Sequence, residues 1–161
     1  MIKKLNSNRG QTLVEFALTL VLLLMVIFGI VEFGIIMYNK AILTGASREG
    51  ARAGAMFRAN PGTFGYSPFT AAEIRTIVAN YVNSTGLVTF GLAFNPATDV
   101  IPRWSTDGGT TWTTTLPSTY AVGTKLRVDV ALAYTYLVIP RLASIGGGTL
   151  NLSSTTIMRL E

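Results

Sequence analysis

No cysteine and no histidine occur among the 161 residues, and only eight side chains are acidic. Those absences exclude disulfide staples, thiolate or imidazole nucleophiles, and zinc sites built on either residue. They leave the compartment open, since an exported fold with a sufficient core needs no staples. Hydrolytic chemistry would have to rest on carboxylates, and the pair Asp99 and Asp107 has only residue type in its favour. Charge is scarce as well: charged residues make up 13% of the chain, which is low for a wholly soluble protein. The formal net charge is +5, but Lys3, Lys4 and Arg9 all precede Gly10, so +2 remains for the 151 residues beyond it. With no basic stripe and no interleaved aromatics, nucleic-acid binding is excluded, and no cofactor or metal is called for.

What the chain has in excess is a single apolar run. Phe16 to Val31 holds no charge, Glu32 interrupts, and Phe33 to Tyr38 continues. Residues 16–38 as one helix would measure about 35 Å, enough to cross a hydrocarbon core of roughly 30 Å. A cleaved secretory signal would be shorter and would meet a small-residue site directly. Here the nearest Ala-x-Ala pattern, Ala51-Arg52-Ala53, lies well beyond Tyr38, which favours a retained anchor.

The helical pattern continues past the apolar run to Arg58. Ala41, Gly45, Ala46, Gly50, Ala51, Gly54 and Ala55 recur three to five positions apart. Such a stripe admits close approach by another backbone, either a neighbouring helix or the same chain's sheet. Gly45, Gly50 and Gly54 are therefore candidate packing residues, and Glu49 and Arg52 are spaced to pair across a turn. Asn60-Pro61-Gly62 reads as the turn that ends the element.

A second helix opens at Thr70-Ala71-Ala72-Glu73 with a capping box, Phe69 stapled on Ile74, and closes at Gly86. Ile74, Ile77, Val78, Tyr81 and Val82 trace its buried face. The remainder reads as strands: Leu87–Phe94, the hairpin arms Val100–Ser105 and Thr110–Thr115, Lys125–Val138, and a last strand from about Leu150 to Arg159. Leu126, Val128, Val130, Leu132, Tyr134 and Tyr136 share one face of the longest. Helices first and strands afterwards predict an α+β fold with a small antiparallel sheet over residues 59–161. Ser105 to Trp112 fits the Asp-box pattern of sialidase-type propeller hairpins, but one copy builds no propeller. It is read as a turn in which Asp107 bonds amides and Trp112 packs beneath. A weaker alternative makes Trp104 and Trp112 an exposed ligand patch at the hairpin tip.

Two carboxylates remain in the apolar helix. Glu15 lies at its mouth, five residues past Gly10, where an unpaired carboxylate costs several kcal/mol. Glu32 lies about 25 Å further along and about 100° away in azimuth. It reads either as a protonated or snorkelling side chain at the helix exit, or as a contact to a partner's Lys40 or backbone that sets the stagger between helices.

The run Arg9-Gly10-Gln11-Thr12-Leu13-Val14-Glu15-Phe16-Ala17-Leu18 resembles the prepilin signal of type IV pilins. Taken with Phe28-Gly29-Ile30-Val31-Glu32-Phe33-Gly34, Ala46-Ser47-Arg48-Glu49-Gly50-Ala51-Arg52 and the closing Thr156-Ile157-Met158-Arg159-Leu160-Glu161, it resembles the TadE-like pseudopilins of tight-adherence pilus systems. The resemblance implies a pilin-like fold: a basic leader (1–10), a long helix (11–58) and an exported domain (59–161). It implies cleavage between Gly10 and Gln11 by a prepilin peptidase. Glu15 would then guide assembly by pairing with the new α-amine of a neighbouring subunit. The implied partners are that peptidase, sister pseudopilins, the major pilin and an inner-membrane platform. The cytoplasmic membrane would hold the protein with its N-terminus inside. The alternative is an uncleaved, membrane-anchored adhesive or ligand-binding domain. Neither reading is that of an enzyme.

Overall fold

A computed structural model describes residues 8–56, 58–59, 66–90, 93–117, 123–137 and 149–160. The basic residues Lys3 and Lys4, the Asn60-Pro61-Gly62 turn and the C-terminal Glu161 lie outside the described residues.

The expected long helix runs unbroken from Asn8 to Ala55 as α1, 48 residues of mostly apolar side chains with no proline to interrupt the ladder. Residues 10–28 are exposed throughout; from Glu32 onward the buried positions multiply, and Ile42, Leu43, Ala46 and Ala51 enter the core. Arg58–Ala59 (β1) and Tyr66–Ser67 (β2) then pair as a two-stranded clip that the sequence did not announce.

Helix α2, Ala71–Thr85, begins on the expected capping box. The Thr70 hydroxyl accepts from the Glu73 amide at 3.4 Å while the Glu73 carboxylate accepts from the Thr70 amide at 2.8 Å. Two first-turn amides are thus satisfied reciprocally. Gly86 ends the helix at φ +78°, in the left-handed region, and donates its N–H to Val82 O at 2.9 Å. Ile74, Val78 and Val82 face inward.

A single turn, α3 (Pro96–Asp99), leads into the antiparallel sheet of β3 (Val100–Ser105), β4 (Lys125–Thr135) and β5 (Thr149–Arg159), in the order β3-β4-β5. Alternation along β4 buries Leu126, Val128, Val130, Leu132 and Tyr134 against the helices. The opposite face carries Arg127 and Asp129. Asp129 accepts from Arg127 Nε at 2.8 Å and from the Thr155 hydroxyl at 2.6 Å, with Arg103 at 3.7 Å. The fold is therefore α+β, with α1 and α2 on one side of a three-stranded sheet and the core between them.

Among the described residues, two expected strands do not form. Residues 87–90 have no ladder partner, because the backbone of Val88 is bonded by a side chain instead, that of Asn39. The Thr110–Thr115 arm shrinks to one bridge, Trp104 with Thr113. Its first amides are already taken: Asp107 accepts from Thr110 N at 3.0 Å and from Thr111 N at 2.8 Å. The Asp107 carboxyl is held below the usual carboxylate range, first by the Ser105 and Thr111 hydroxyls and then by those amides. Trp104 is fully buried, so no exposed Trp104–Trp112 patch exists; Trp112 lies over the Arg127 guanidinium, 5.9 Å from ring centroid to Cζ.

Candidate assembly helix and its junction with the domain

The candidate residues fall in three groups along α1. Gly10, Gln11 and Glu15 lie near the start of the described part of α1. All three are exposed, and the Gln11 side-chain amide donates to Glu15 Oε1 at 3.0 Å. The Thr19 hydroxyl donates to Glu15 O at 2.9 Å, so the polar groups at this end bond along their own helix. Beyond them, the side chains from Phe16 to Phe28 are apolar or hydroxylic and open to the surroundings.

Glu32 ends that stretch. Although it sits on the apolar helix, it is only 2% exposed, and its Oε1 accepts the backbone N–H of Leu137, just past the end of β4. The chain's own backbone thus occupies the group that was expected either to snorkel or to meet a partner. Tyr134 is packed beside it, edge-on to Phe90 and Tyr136 with ring centroids 6.4 and 6.1 Å apart. Burial raises the Tyr134 hydroxyl pKa, and the nearby Glu32 charge and Tyr136 add to the rise. That hydroxyl has no hydrogen-bond partner among the described residues.

Above Glu32 a row of polar contacts fixes the helix against the domain. The Tyr38 hydroxyl lies 3.1 Å from Thr85 O and 3.3 Å from Gly86 O, at the end of α2. Asn39 is fully buried; its Nδ2 donates to Val88 O at 2.7 Å and its Oδ1 accepts from Val88 N at 3.0 Å. This side-chain amide does what a neighbouring strand would do for that residue. Lys40 Nζ donates to Ser153 O of β5 rather than to a carboxylate. Ser47, fully buried, donates to Thr44 O at 3.0 Å and meets the hydroxyls of Ser154 at 3.0 Å and Thr156 at 2.9 Å.

The glycine stripe faces inward. A Cβ on Gly45 would fall on the Tyr81 hydroxyl. One on Gly50 would stand 2.5 Å from Val78 Cγ2, and one on Gly54 2.5 Å from Leu126 Cδ2 and 2.8 Å from Ile74 Cδ1. The close neighbours are therefore α2 and β4 of the same chain. Asp99 and Asp107 are each taken up by local bonds rather than shared: Asp99 accepts the Asn95 amide at 2.8 Å, and Asp107 is enclosed by its own turn. Sequence reasoning missed Asn39, Ser47 and Leu137. The first two had a signal: they are polar positions on the same helical stripe as Leu43, Gly50 and Gly54, where nothing polar is needed unless it is bonded. Leu137 had none.

Residues 10–52 match the family model described as TadE-like protein. Comparison with curated proteins and with solved structures gave no match. The match ends inside α1, so the sheet lies beyond it. Over residues 10–52, from the exposed apolar stretch to Gly45 and Gly50 on the face docked against the domain, this chain is similar to that family.

Proposed function

We propose that the protein is a minor pilin, or pseudopilin, of a tight-adherence pilus, cut between Gly10 and Gln11 by a prepilin peptidase and packed into a filament through α1. One observation carries the reading: a single helix of 48 residues is bare and apolar in its first half and the spine of a folded domain in its second. The bare half is long and apolar enough to cross a membrane. The domain already covers the other half, so the surface left for neighbouring subunits and lipid is the first half. Sister pseudopilins, the major pilin and an inner-membrane platform would meet it there.

Glu15 is the guiding charge in this reading. In the free subunit a neutral amide, Gln11, holds one of its oxygens. That bond softens the cost of a carboxylate in lipid but does not neutralise it. A neighbour's α-amine, set free by cleavage, would pair with Glu15 more strongly and fix the offset between subunits. Both residues of the Gly10–Gln11 bond are exposed, which leaves it open to the peptidase.

Intact mass tests the processing: in cells that hold the peptidase, the mature chain should begin at Gln11. A chain still beginning at Met1 would support the uncleaved anchored domain instead. Glu15→Ala should leave the domain folded and the chain processed while removing it from the filament fraction. Undiminished incorporation would end the guiding role.

A further inference from the structure

We propose that the floor of the globular domain, around Leu137, sits on the phospholipid headgroup layer, so that hydrocarbon ends at Glu32 and not at Tyr38. The proposal rests on the membrane-anchor reading above and adds where the membrane stops. Residues 11–31 as a helix measure about 31 Å, which alone matches a hydrocarbon core of roughly 30 Å. Among the described residues, the level of Glu32 is the first at which the domain bonds to the helix, through the Leu137 amide.

A span reaching Tyr38 would draw another 9 Å or so of the molecule into hydrocarbon. That slice holds more than helix. It contains Leu137, just past the end of β4, and it reaches the end of α2, where the Tyr38 hydroxyl meets Thr85 and Gly86. Asn83, Ser84 and Thr85 are exposed there. Irregular backbone and helix ends open to lipid leave N–H and C=O groups unpaired at several kcal/mol each, so this slice belongs in water or among headgroups. The floor is nonetheless not polar all round. Leu137 is 45% exposed beneath Glu32, and Phe33, Met37 and Tyr38 are exposed beside it at 62%, 47% and 45%. They continue the apolar surface of the anchor directly, and an apolar rim carrying a tyrosine suits the boundary between acyl chains and headgroups. The occupant is therefore the phospholipid leaflet, not a separate protein.

The absence of cysteine makes single-cysteine probes unique. Leu137→Cys, Met37→Cys, Val21→Cys and Thr110→Cys full chains, each carrying a nitroxide, would be reconstituted in phosphatidylethanolamine–phosphatidylglycerol vesicles. Depth is read from oxygen against aqueous nickel-chelate accessibility. The Leu137 probe should lie about 15 Å from the bilayer centre, at the hydrocarbon boundary. The Val21 probe should lie about 16 Å deeper than Glu32's level, and the Met37 probe about 7 Å above that level. Thr110, at the far end of β4, should read as water. A Leu137 probe as wet as Thr110 while Val21 lies in lipid would overturn the seat and leave the anchor intact. A Leu137 or Met37 probe as deep as Val21 would overturn the boundary. Shielding of Leu137 that appears only at high protein-to-lipid ratio would assign the floor to a second subunit and overturn the lipid partner. A Val21 probe in water would sink the anchor reading and this proposal together.

Discussion

The two halves of α1 belong to one continuous helix and stand in opposite surroundings. Leu22 in the first half is 66% exposed; Leu43 in the second is fully buried. Gly10 has open space where a Cβ would stand, whereas Gly50 and Gly54 are pressed by Val78, Ile74 and Leu126. Polar groups follow the same division. Gln11, Glu15 and Thr19 bond within their own helix, while Asn39, Lys40 and Ser47 bond to segments more than forty residues away. The first half is the more apolar, yet apolar character alone does not say whether a helix face meets lipid, neighbours or its own domain. What separates the halves is whether small and polar residues fall on the same stripe as the large apolar ones. In the second half they do, and the domain fills that stripe.

Equal truncations in the two halves should therefore have unequal effects. Leu43→Ala opens a cavity in a fully buried site and should cost about 3 kcal/mol of domain stability, within the range for such changes. Leu22→Ala removes the same atoms from an exposed site and should leave the domain's unfolding midpoint unmoved. Denaturant titration of detergent-solubilised protein, followed through the buried Trp104, measures both. Similar losses at the two sites would mean that the first half is also held by the domain. Asn39→Ala comes next, at about 2 kcal/mol, because it leaves the Val88 N–H and C=O without their partner in a part-buried place. The same titration should show Asn39→Asp to be less tolerated than an isostere normally is, since a carboxylate cannot donate to Val88 O.

How much of this could be read beforehand depended on the range of the interactions. The capping box of α2 and the alternation of β4 are local, and both emerged with the residues expected. The glycine stripe was legible as a place of close approach, but small residues do not say whose atoms approach. Only the fold assigns them to Tyr81, Val78 and Leu126 of the same chain. Residues 87–94 looked like a strand because buried extended segments share the composition of strands, and the partner of Val88 is a side chain 49 residues away. Thr110–Thr115 looked like a hairpin arm until Asp107 took the amides a ladder would use. Glu32 was visible as an anomaly, yet its acceptor role spans 105 residues and has no sequence signature.

The glycines give a milder contrast of opposite sign. Gly54→Ala places a methyl 2.5 Å from Leu126 Cδ2, so the sheet or the helix must shift, at about 1–3 kcal/mol for overpacking. Gly34→Ala meets nothing within 4 Å and should gain helix propensity, worth up to about 1 kcal/mol. Thermal melts that moved the same way for both would remove the distinction between open and docked glycines of the helix.

The smallest effect should come from the outer side of the docked half, where Glu49 and Arg52 pair at 2.7 Å with side chains 36% and 61% exposed. The hydrogen bond from Arg52, and its charge, hold the Glu49 carboxyl below its usual range against a small opposing effect of burial. A carboxyl depressed in the folded state contributes stabilisation that is present above its unfolded pKa and is lost as pH falls through the folded one. Wild type should therefore lie slightly above Glu49→Gln in melting temperature at neutral pH. The two curves should converge as pH drops below about 4. Exposure on this scale makes the difference sensitive to screening, so about 0.5 M salt should erase most of it at neutral pH. Persistence of the gap in salt, or its growth toward acid, would mean that Glu49 does more than decorate the solvent side of a helix whose other side does the holding.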